Sequence, residues 1–289
     1  MIEFWHQVLS GIATGGIYAS IALALVMIYQ ATHQVNFAQG EMATFSTFIA
    51  YSLVTAGVPY WAAFAATVAV SFLLGLVIER VLLRPVAAAP ELTLVGVFIG
   101  LLLILNALCG WIWDYTIKPF PSPFGSTPLF GGMISSHELG SMAVTLGMLL
   151  LVYLFFRHTR LGLAMRAVSY NPQSSRLVGI RVGWMLALGW GLAAAIGAVA
   201  GMMIAPVVFL DPNMMAGTLL YAFAGALLGG LDSAVGAVLG GFLVGVIETL
   251  GGTYLVGTEL RLTLALVIIA GVLVAKPSGL LGRAVTGRV

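Results

Sequence analysis

Long apolar runs separated by short polar breaks dominate this chain. Runs long enough to cross the apolar core of a bilayer as helices lie at 8–29, 37–57, 60–78, 92–113, 139–156, 184–209 and 260–275. Two shorter, glycine-rich runs fill 217–250 and are separated at Asp232. The pattern predicts an all-α, polytopic transmembrane bundle of about 8–9 membrane segments, in which 217–250 forms two thin spans or a re-entrant pair.

The polar break at 157–183 gives the strongest indication of how the chain is oriented in the membrane. We name it the basic segment. It contains no acid and five arginines: Arg157, Arg160, Arg166, Arg176 and Arg181. Because positively charged loops stay in the cytoplasm, we expect this segment to be cytosolic. Alternation then places the N-terminus outside and the C-terminus inside. The same alternation puts five other basic residues inside: Arg80, Arg84, Lys276, Arg283 and Arg288.

The basic segment also carries helix signals. Residues 161–170 have helix-compatible spacing, and Asn171-Pro172 is typical of an N-cap followed by the first helical position. Gly179 is typical of a helix end. We therefore predict two short helices on the cytosolic face, where a cytosolic partner can contact them.

The composition indicates that lipid is part of the solvent. The chain is 61% hydrophobic and 8% charged, with a mean hydropathy of +1.08, which is far above the apolar share of soluble domains. We expect one transmembrane domain over 1–289, with lipid as a partner and no nucleic acid. The single cysteine, Cys109, rules out an internal disulfide and a cysteine metal cluster.

The motifs of common catalytic sites are missing. Neither Lys118 nor Lys276 follows the glycine-rich loop of a P-loop ATPase, so the chain cannot hydrolyse ATP by that route. His137-Glu138 lacks the second histidine of a zinc-protease helix. We expect no catalytic residue, no metal site and no cofactor bound by this chain, and therefore a role in transport rather than an enzymatic one.

Few polar groups fall within the apolar runs. The candidates for a translocation pathway are Glu41, Asn106 and Glu248, and each ionisable group costs on the order of 3 kcal/mol to hold at mid-bilayer. Glu248 lies near the outer end of its run, so a snorkelling or helix-packing role is an equal alternative. Because three scattered groups make a poor ion-coupling chain, we expect the driving energy to arrive through the basic segment.

The polar break at 36–41 allows two interpretations. Asn36 can cap the following helix while Gln39 reaches back as in a capping box, which describes an ordinary helix start at the membrane surface. Alternatively, the positive end of this helix lies within the bundle and faces a substrate carboxylate. Asn36 and Gln39 are pathway candidates under the second interpretation.

Glycines recur at four-residue spacing in several runs. The pairs are Gly11/Gly15, Gly197/Gly201, Gly225/Gly229, Gly236/Gly240 and Gly241/Gly245. Such pairs allow close helix packing in lipid. The alternative for the cluster at 225–245 is that it keeps helices thin beside a pathway, which makes Gly229 and Gly230 further pathway candidates.

Four stretches together resemble the permease subunits of branched-chain amino acid ABC importers. They are VMIYQATHQVNFAQGEMATF within 18–45, ERVLLRP at 79–85, TRLGLAMRAVSYNPQSSRLVGI at 159–180 and AFAGALLGGLDSAVGAVLGGFLVGVIE at 222–248. The resemblance implies a multi-pass permease of the bacterial cytoplasmic (inner) membrane. It also implies four partners: a second homologous permease, two cytosolic ATPase subunits that use ATP, and an extracytoplasmic solute-binding protein.

The resemblance further implies that 159–180 docks on the ATPases, with Arg166, Ala167, Asn171 and Gly179 at the characteristic positions of that element. The binding protein would deliver cargo near 114–138 and 206–216. One departure is His33-Gln34, where the family usually has small apolar residues. The cargo is therefore a branched-chain or related amino acid, or alternatively urea, an amide or another small polar solute. A stand-alone secondary carrier is the remaining alternative.

Overall fold

The computed structural model describes residues 2–32, 34–87, 89–276 and 278–282. His33, Arg283 and Arg288, to which the sequence assigned a role in the pathway or in orientation, lie outside these ranges. The chain divides into two compact units, which we describe separately. Unit 1 comprises Met1–Val26, Pro121–Thr145 and Ala216–Val289, and unit 2 comprises Met27–Phe120 and Leu146–Met215.

The fold is a helical bundle, as predicted. Its helices are α1 (Ile2–Thr32), α2 (Gln39–Thr55), α3 (Tyr60–Val77), α4 (Glu91–Trp113), α5 (Ser136–His158), α6 (Arg160–Tyr170), α7 (Pro172–Leu177), α8 (Val182–Val208), α9 (Met215–Gly229), α10 (Ala234–Tyr254) and α11 (Arg261–Ala275). A π-helical turn (Ile78–Leu83) and a 3₁₀ turn (Arg84–Val86) extend α3. The two-residue strands β1 (Pro128–Leu129) and β2 (Ile134–Ser135) form a small antiparallel hairpin.

Six of these helical stretches are long and apolar enough to cross a membrane. They are Glu3–Thr32, Tyr60–Val86, Leu92–Trp113, Ser136–His158, Val182–Val208 and Ala234–Tyr254. Helices α9 and α11 are apolar but have 15 residues each, or about 22 Å of helix, which is less than the apolar thickness of a typical bilayer. The region 217–250 therefore forms one short and one membrane-length helix.

Unit 2 is organised around α8, against which α2 and α3 pack along their lengths. Gly197 and Gly201 make the α2 contact possible, because a Cβ at either position would meet side chains of Gln39, Ala43 or Thr47. Trp190 is fully buried in this unit, and its ring stacks on Phe98 with centroids 5.9 Å apart. Glycines on α8 thus let α2 approach the central helix closely.

Unit 1 is held together by glycine contacts between α1, α9 and α10. A Cβ on Gly241 would collide with the backbone of Ala19, and one on Gly15 would lie 2.9 Å from the carbonyl oxygen of Phe242. Gly225 and Gly240 face each other across the α9–α10 pair. The close-packing interpretation of the glycine pairs is therefore confirmed, since the structure places backbone or side chain directly opposite them.

The segment after α11 covers the end of α9. The backbone N–H groups of Leu280 and Leu281 donate to the carbonyl oxygens of Leu228 (2.7 Å) and Gly229 (3.0 Å). Gly230 and Gly279 touch each other and have positive φ values of 106° and 75°, which side chains other than glycine's rarely tolerate. The segment that follows α11 thereby supplies hydrogen-bond donors to the last carbonyl groups of α9.

Candidate translocation and coupling sites

The start of α2 is fully buried in unit 2. Asn36 and Gln39 are both 0% exposed, and the helix begins at Gln39 with Ala38 as N-cap. The predicted capping box is wrong, because no side chain caps this helix. The Oδ1 atom of Asn36 instead accepts from the N–H of Ala38 (3.0 Å), which is an Asx turn, and its Nδ2 donates to Oε1 of Gln39 (3.3 Å).

The Gln39 side chain points to α8 rather than back along its own helix. Its Nε2 atom donates to the carbonyl oxygen of Ala193 at 2.9 Å. Ala193 lies eleven residues after the first residue of α8, or about 17 Å along the helix axis. Because α8 is long enough to span a membrane, α2 begins at the level of the middle of that helix. This depth favours a helix start within the bundle over one at the membrane surface.

Two pathway candidates, Glu41 and Asn106, meet in unit 2. The Nδ2 atom of Asn106 lies 3.4 Å from Oε2 of Glu41, 3.0 Å from the carbonyl oxygen of Pro212 and 2.9 Å from Oδ1 of Asn213. Glu41 is 7% exposed. The first turn of α2, the second half of α4 and the segment between α8 and α9 therefore converge on one polar cluster.

Asn213 is a member of this cluster that the sequence did not single out. It lies 107 residues from Asn106 in the chain, and its backbone N–H donates to Oδ1 of Asp211 at 2.6 Å. The available signal was Asp211-Pro212-Asn213, a polar break directly after the apolar run at 184–209. A break of this kind marks a loop, but it does not reveal which helix the loop will contact.

The second ionisable candidate, Glu248, belongs to unit 1 and is paired there. It is 4% exposed, and its Oε1 atom lies 3.3 Å from Nη1 of Arg261. Thr249 donates to its other carboxylate oxygen at 3.4 Å. The rings of Tyr18 and Tyr221 stack nearby, with centroids 5.1 Å apart. The structure thus buries Glu248 with an internal counter-ion, whereas its position in the sequence suggested access to the interface.

Gly229 and Gly230 lie at the turn between α9 and α10. Gly229 contacts the backbone of Gly236, and Gly230 contacts the backbone of Ser278 and Gly282. Ser233 caps α10 by accepting from the N–H of Gly236 at 3.0 Å. The surroundings of both glycines are packed backbone, so the structure gives them a clear role in holding this turn together.

The basic segment folds as predicted into two short helices. Thr159 caps α6 by accepting from the N–H of Gly162 (3.0 Å), and Asn171 caps α7 by accepting from the N–H of Ser174 (2.9 Å). Pro172 occupies the first turn of α7, and Gly179 has a φ of 84°. The predicted cap and stop residues are confirmed.

The outer face of these helices combines exposed arginine and exposed apolar side chains. Met165 and Val168 turn inward, while Arg166, Asn171 and Gly179 are exposed and Ala167 is half-buried. Large apolar residues are exposed beside them: Leu161, Leu163, Tyr170, Leu177 and Val178. Exposed apolar side chains mixed with arginine are typical of a protein-interaction surface.

A junction between α3 and α8 lies directly beyond the basic segment. The guanidinium carbon of Arg80 lies 3.8 Å from the ring centroid of Trp184, a cation–π contact. The guanidinium of Arg84 packs on Gly183, where a Cβ would come within 3.0 Å of Nη2. Both arginines belong to the π-helical and 3₁₀ turns that end α3, and such turns are frequent at functional sites.

The sequence placed Arg80 and Arg84 on the same side as the basic segment but did not identify this junction. The signal for it was the ERVLLRP stretch, in which the two arginines are four residues apart. Their partners Gly183 and Trp184 lie about a hundred residues later in the chain. Only the tertiary fold brings them together.

The segments after α4 and α8 are joined in unit 2. Lys118 and Leu210 exchange two backbone hydrogen bonds of 2.9 Å, so the two segments form a β-bridge. Asp114, which is exposed, accepts from the hydroxyl and the N–H of Thr116 and from Nζ of Lys118. These hydrogen bonds, with the Thr116 hydroxyl first, hold the pKa of Asp114 below its ordinary value.

Metal-binding groups are not assembled in the part of the chain that the structure describes. No cluster of three or more His, Cys, Asp or Glu side chains is present there.

The six membrane-length apolar helices among the described residues indicate a multi-pass integral membrane protein. The sequence profile of the family described as "Branched-chain amino acid transport system / permease component" matches residues 7–275, and the chain belongs to this family. The resemblance found in the sequence is thereby confirmed, and the family is described as a transport permease component.

Individual relatives are similar over almost the full chain. It is 30% identical to the high-affinity branched-chain amino acid transport system permease protein LivH of Salmonella typhimurium, over 98% of this chain and 96% of that protein. It is 31% identical to the corresponding permease protein BraD of Pseudomonas aeruginosa, over 98% of both. A probable LivH of Methanocaldococcus jannaschii is 26% identical over 91% of this chain and 87% of its own length. No solved structure matches the chain.

Proposed function

We propose that this chain is the membrane-spanning permease subunit of an ABC importer in the bacterial cytoplasmic membrane. Its cargo is a branched-chain or related amino acid delivered by an extracytoplasmic binding protein. The observation that carries the proposal is the exposed surface of α6 and α7, where Arg166 stands among apolar side chains in a chain without a P-loop. Such a surface lets separate ATPase subunits act on the membrane helices.

The proposed topology follows from the same surface. With the basic segment in the cytosol, alternation over about nine segments, including the shorter α2, α9 and α11, places the N-terminus outside and the C-terminus inside. In this arrangement α9 and α10 enter from outside and return, as either two spans or a re-entrant pair.

The β-bridge between Lys118 and Leu210 supports a docking role for the outer segments. It joins the loops at 114–138 and 206–216, the two stretches at which we expect the binding protein to deliver its solute. A second, homologous permease subunit and two ATPase subunits complete the proposed transporter. ATP is bound by those partners, and this chain itself holds no cofactor.

In the proposed mechanism, closure of the ATPases moves α6 and α7, which pack on α8. The junction of Arg80 and Arg84 with Trp184 and Gly183 ties the start of α8 to the end of α3. Because α2 is fixed to the middle of α8 through Gln39, movement of α8 changes the surroundings of Asn36 and Glu41. Alternating access then follows without covalent chemistry.

Two alternatives have a specific observation behind them. The bulky, polar His33-Gln34 ahead of α2 favours a small polar cargo such as urea or an amide. The buried Glu41 carboxyl favours a stand-alone carrier in which this group takes up a proton.

Gentle purification of the tagged chain from its native membrane, followed by mass spectrometry, tests the proposal. The wild-type chain is expected to recover a P-loop ATPase and a second hydrophobic subunit. Arg166→Glu is expected to lose the ATPase while keeping the second permease. Arg157→Glu, an equal charge reversal at the end of α5 and outside α6–α7, serves as the matched control. A wild-type chain that is recovered alone from several mild detergents contradicts the proposal.

A further inference from the structure

Three glutamates are buried in the described part of the chain, Glu41, Glu79 and Glu248, and they differ in their counter-ion. Glu79 has Nε of its neighbour Arg80 at 4.0 Å. Glu248 has Arg261 at 3.3 Å. Glu41 has no basic partner among the residues that the structure describes. The sequence gives the reason, because α2 and the helices packed against it, α3, α4 and α8, contain no Lys, Arg or His. The segment 209–214 that reaches the same cluster contains none either, and it adds Asp211.

The side-chain nitrogen of Asn106, beside Glu41, faces more hydrogen-bond acceptors than it has N–H bonds. Asn106 supplies two N–H bonds, which face three acceptors: Oε2 of Glu41, the carbonyl oxygen of Pro212 and Oδ1 of Asn213. The contact to Glu41 is the longest of the three, at 3.4 Å. The second carboxylate oxygen, Oε1, has no hydrogen-bond partner within the described part of the chain. A buried carboxylate left in this state is costly unless a cation or a proton joins it.

We propose that Glu41 binds the primary ammonium group of the cargo during translocation. An ammonium carries one positive charge and three N–H donors with no acceptor, which matches an acceptor-rich cluster that lacks a cation. Asn106 is the positioning residue that contacts the carboxylate, and Oδ1 of Asn213, which accepts from Asn106, is a further acceptor beside it. The proposal rests on the proposed function and narrows its cargo to solutes that carry an ammonium group, which separates amino acids from urea and amides.

A matched pair of ligands tests this directly on the purified full-length chain. L-leucinamide and 4-methylpentanamide have the same carbon skeleton and differ only in the amino group. The unfolding temperature of the wild-type chain is expected to rise with millimolar L-leucinamide and to stay unchanged with 4-methylpentanamide. Glu41→Gln, which keeps the shape of the side chain, is expected to abolish the difference, and Glu41→Asp to retain part of it. Equal unfolding temperatures of the wild-type chain with the two amides overturn the proposal, and this arm needs no variant to fold.

Uptake by cells that carry the full chain with its native partners gives the second arm. The chromosomal gene for this chain is deleted, and each strain then expresses the wild type, Glu41→Gln or Glu41→Asp at the same level in the membrane. Uptake of labelled amino acids, urea and acetamide is measured in each strain. Glu41→Gln is expected to lower amino acid uptake about 10- to 100-fold, the loss expected for a charge-assisted hydrogen bond. Unchanged uptake in Glu41→Gln overturns the proposal.

Two further outcomes separate this proposal from the proposed function. If the wild type imports urea or acetamide in an ATP-dependent way but no amino acid, the ammonium site is wrong while the ABC permease stands. If an uncoupler abolishes wild-type uptake while cellular ATP is held constant, Glu41 carries a proton instead. That result contradicts both the ammonium site and the ATP-driven importer.

Discussion

The side-chain amide of Gln39 donates a 2.9 Å hydrogen bond to the carbonyl oxygen of Ala193, eleven residues into α8. This bond fixes the first turn of a short helix to the middle of a membrane-length one. It explains why the polar residues at 36–41 are buried although they follow the first apolar run directly. A bilayer is a poor place for an irregular break in the chain unless protein surrounds it, and here α8 supplies that protein.

Removing this bond should loosen the start of α2. Gln39→Leu keeps the volume roughly constant but leaves Asn36 without its Gln39 acceptor, and we expect the free energy of unfolding to fall by about 1–2 kcal/mol. Thermal unfolding of the purified chain in detergent measures the change. Gln173→Leu, at an exposed position of α7, is the matched control and should have little effect. Equal effects of the two substitutions would show that the Ala193 contact is not important for stability.

The glycine contacts of unit 1 should be intolerant of even one methyl group. Gly241→Ala places a Cβ against the backbone of Ala19, so α1 and α10 must separate, and we expect a loss of about 1–3 kcal/mol. Gly271→Ala on α11 meets nothing within 4 Å and should be neutral or slightly stabilising, because alanine is the better helix former. Comparison of the two unfolding temperatures checks the difference, and similar values would argue against close packing at Gly241.

Replacing one partner of the Glu248–Arg261 ion pair should destabilise the protein more than replacing both partners together. Glu248→Gln leaves the arginine without its carboxylate, and we expect a loss of about 1–3 kcal/mol, moderated because the Arg261 side chain is 32% exposed. Replacing both residues, as Glu248→Gln with Arg261→Met, should recover most of that stability. A double-mutant cycle on the unfolding temperatures measures the coupling. Strictly additive losses would show that the two side chains do not interact.

The junction of α3 and α8 should transmit movement rather than bind the partner. Arg84→Ala removes the contact with Gly183, and Arg80→Ala removes the cation–π contact with Trp184. We expect both variants to recover the ATPase in purification and to hydrolyse ATP, while uptake per ATP falls about 10-fold, the effect of roughly 1.4 kcal/mol of lost coupling. Arg157→Ala is the control for loss of a cytosolic positive charge. An unchanged ratio of uptake to ATP hydrolysis in both variants would remove the junction from the mechanism.

The sequence predicted the helical elements well because lipid imposes simple rules on them. Apolar length located five of the six membrane-length helices, whereas the runs at 37–57 and 260–275 form the shorter helices α2 and α11, and α10 is longer than predicted. The signals at Asn171, Pro172 and Gly179 located the ends of α7 because caps and stops are local. The capping box at Asn36 and Gln39 failed for the opposite reason. A side chain that can cap its own helix can also reach another helix, and the fold decides between the two.

For the candidate sites too, the sequence showed the local features and missed the tertiary contacts. Glu41, Asn106 and Glu248 were recognisable because charged and amide groups are rare in apolar runs. Their partners were not, since Asn213 lies in one of several polar loops and Arg261 is an ordinary polar residue at the start of α11, and only tertiary contacts select them. The sequence therefore indicated which acids lie within the apolar runs. Among the residues that it describes, the structure gives Glu248 an internal counter-ion and Glu41 none.

Uptake of labelled amino acid into proteoliposomes that contain the purified transporter tests the central claim most directly. The vesicles hold this chain with the partners recovered alongside it and face the extracytoplasmic binding protein from outside. We predict uptake with ATP in the lumen and none with a non-hydrolysable analogue, whatever the proton or sodium gradient. Gradient-driven uptake by this chain alone, without ATP, would contradict the account.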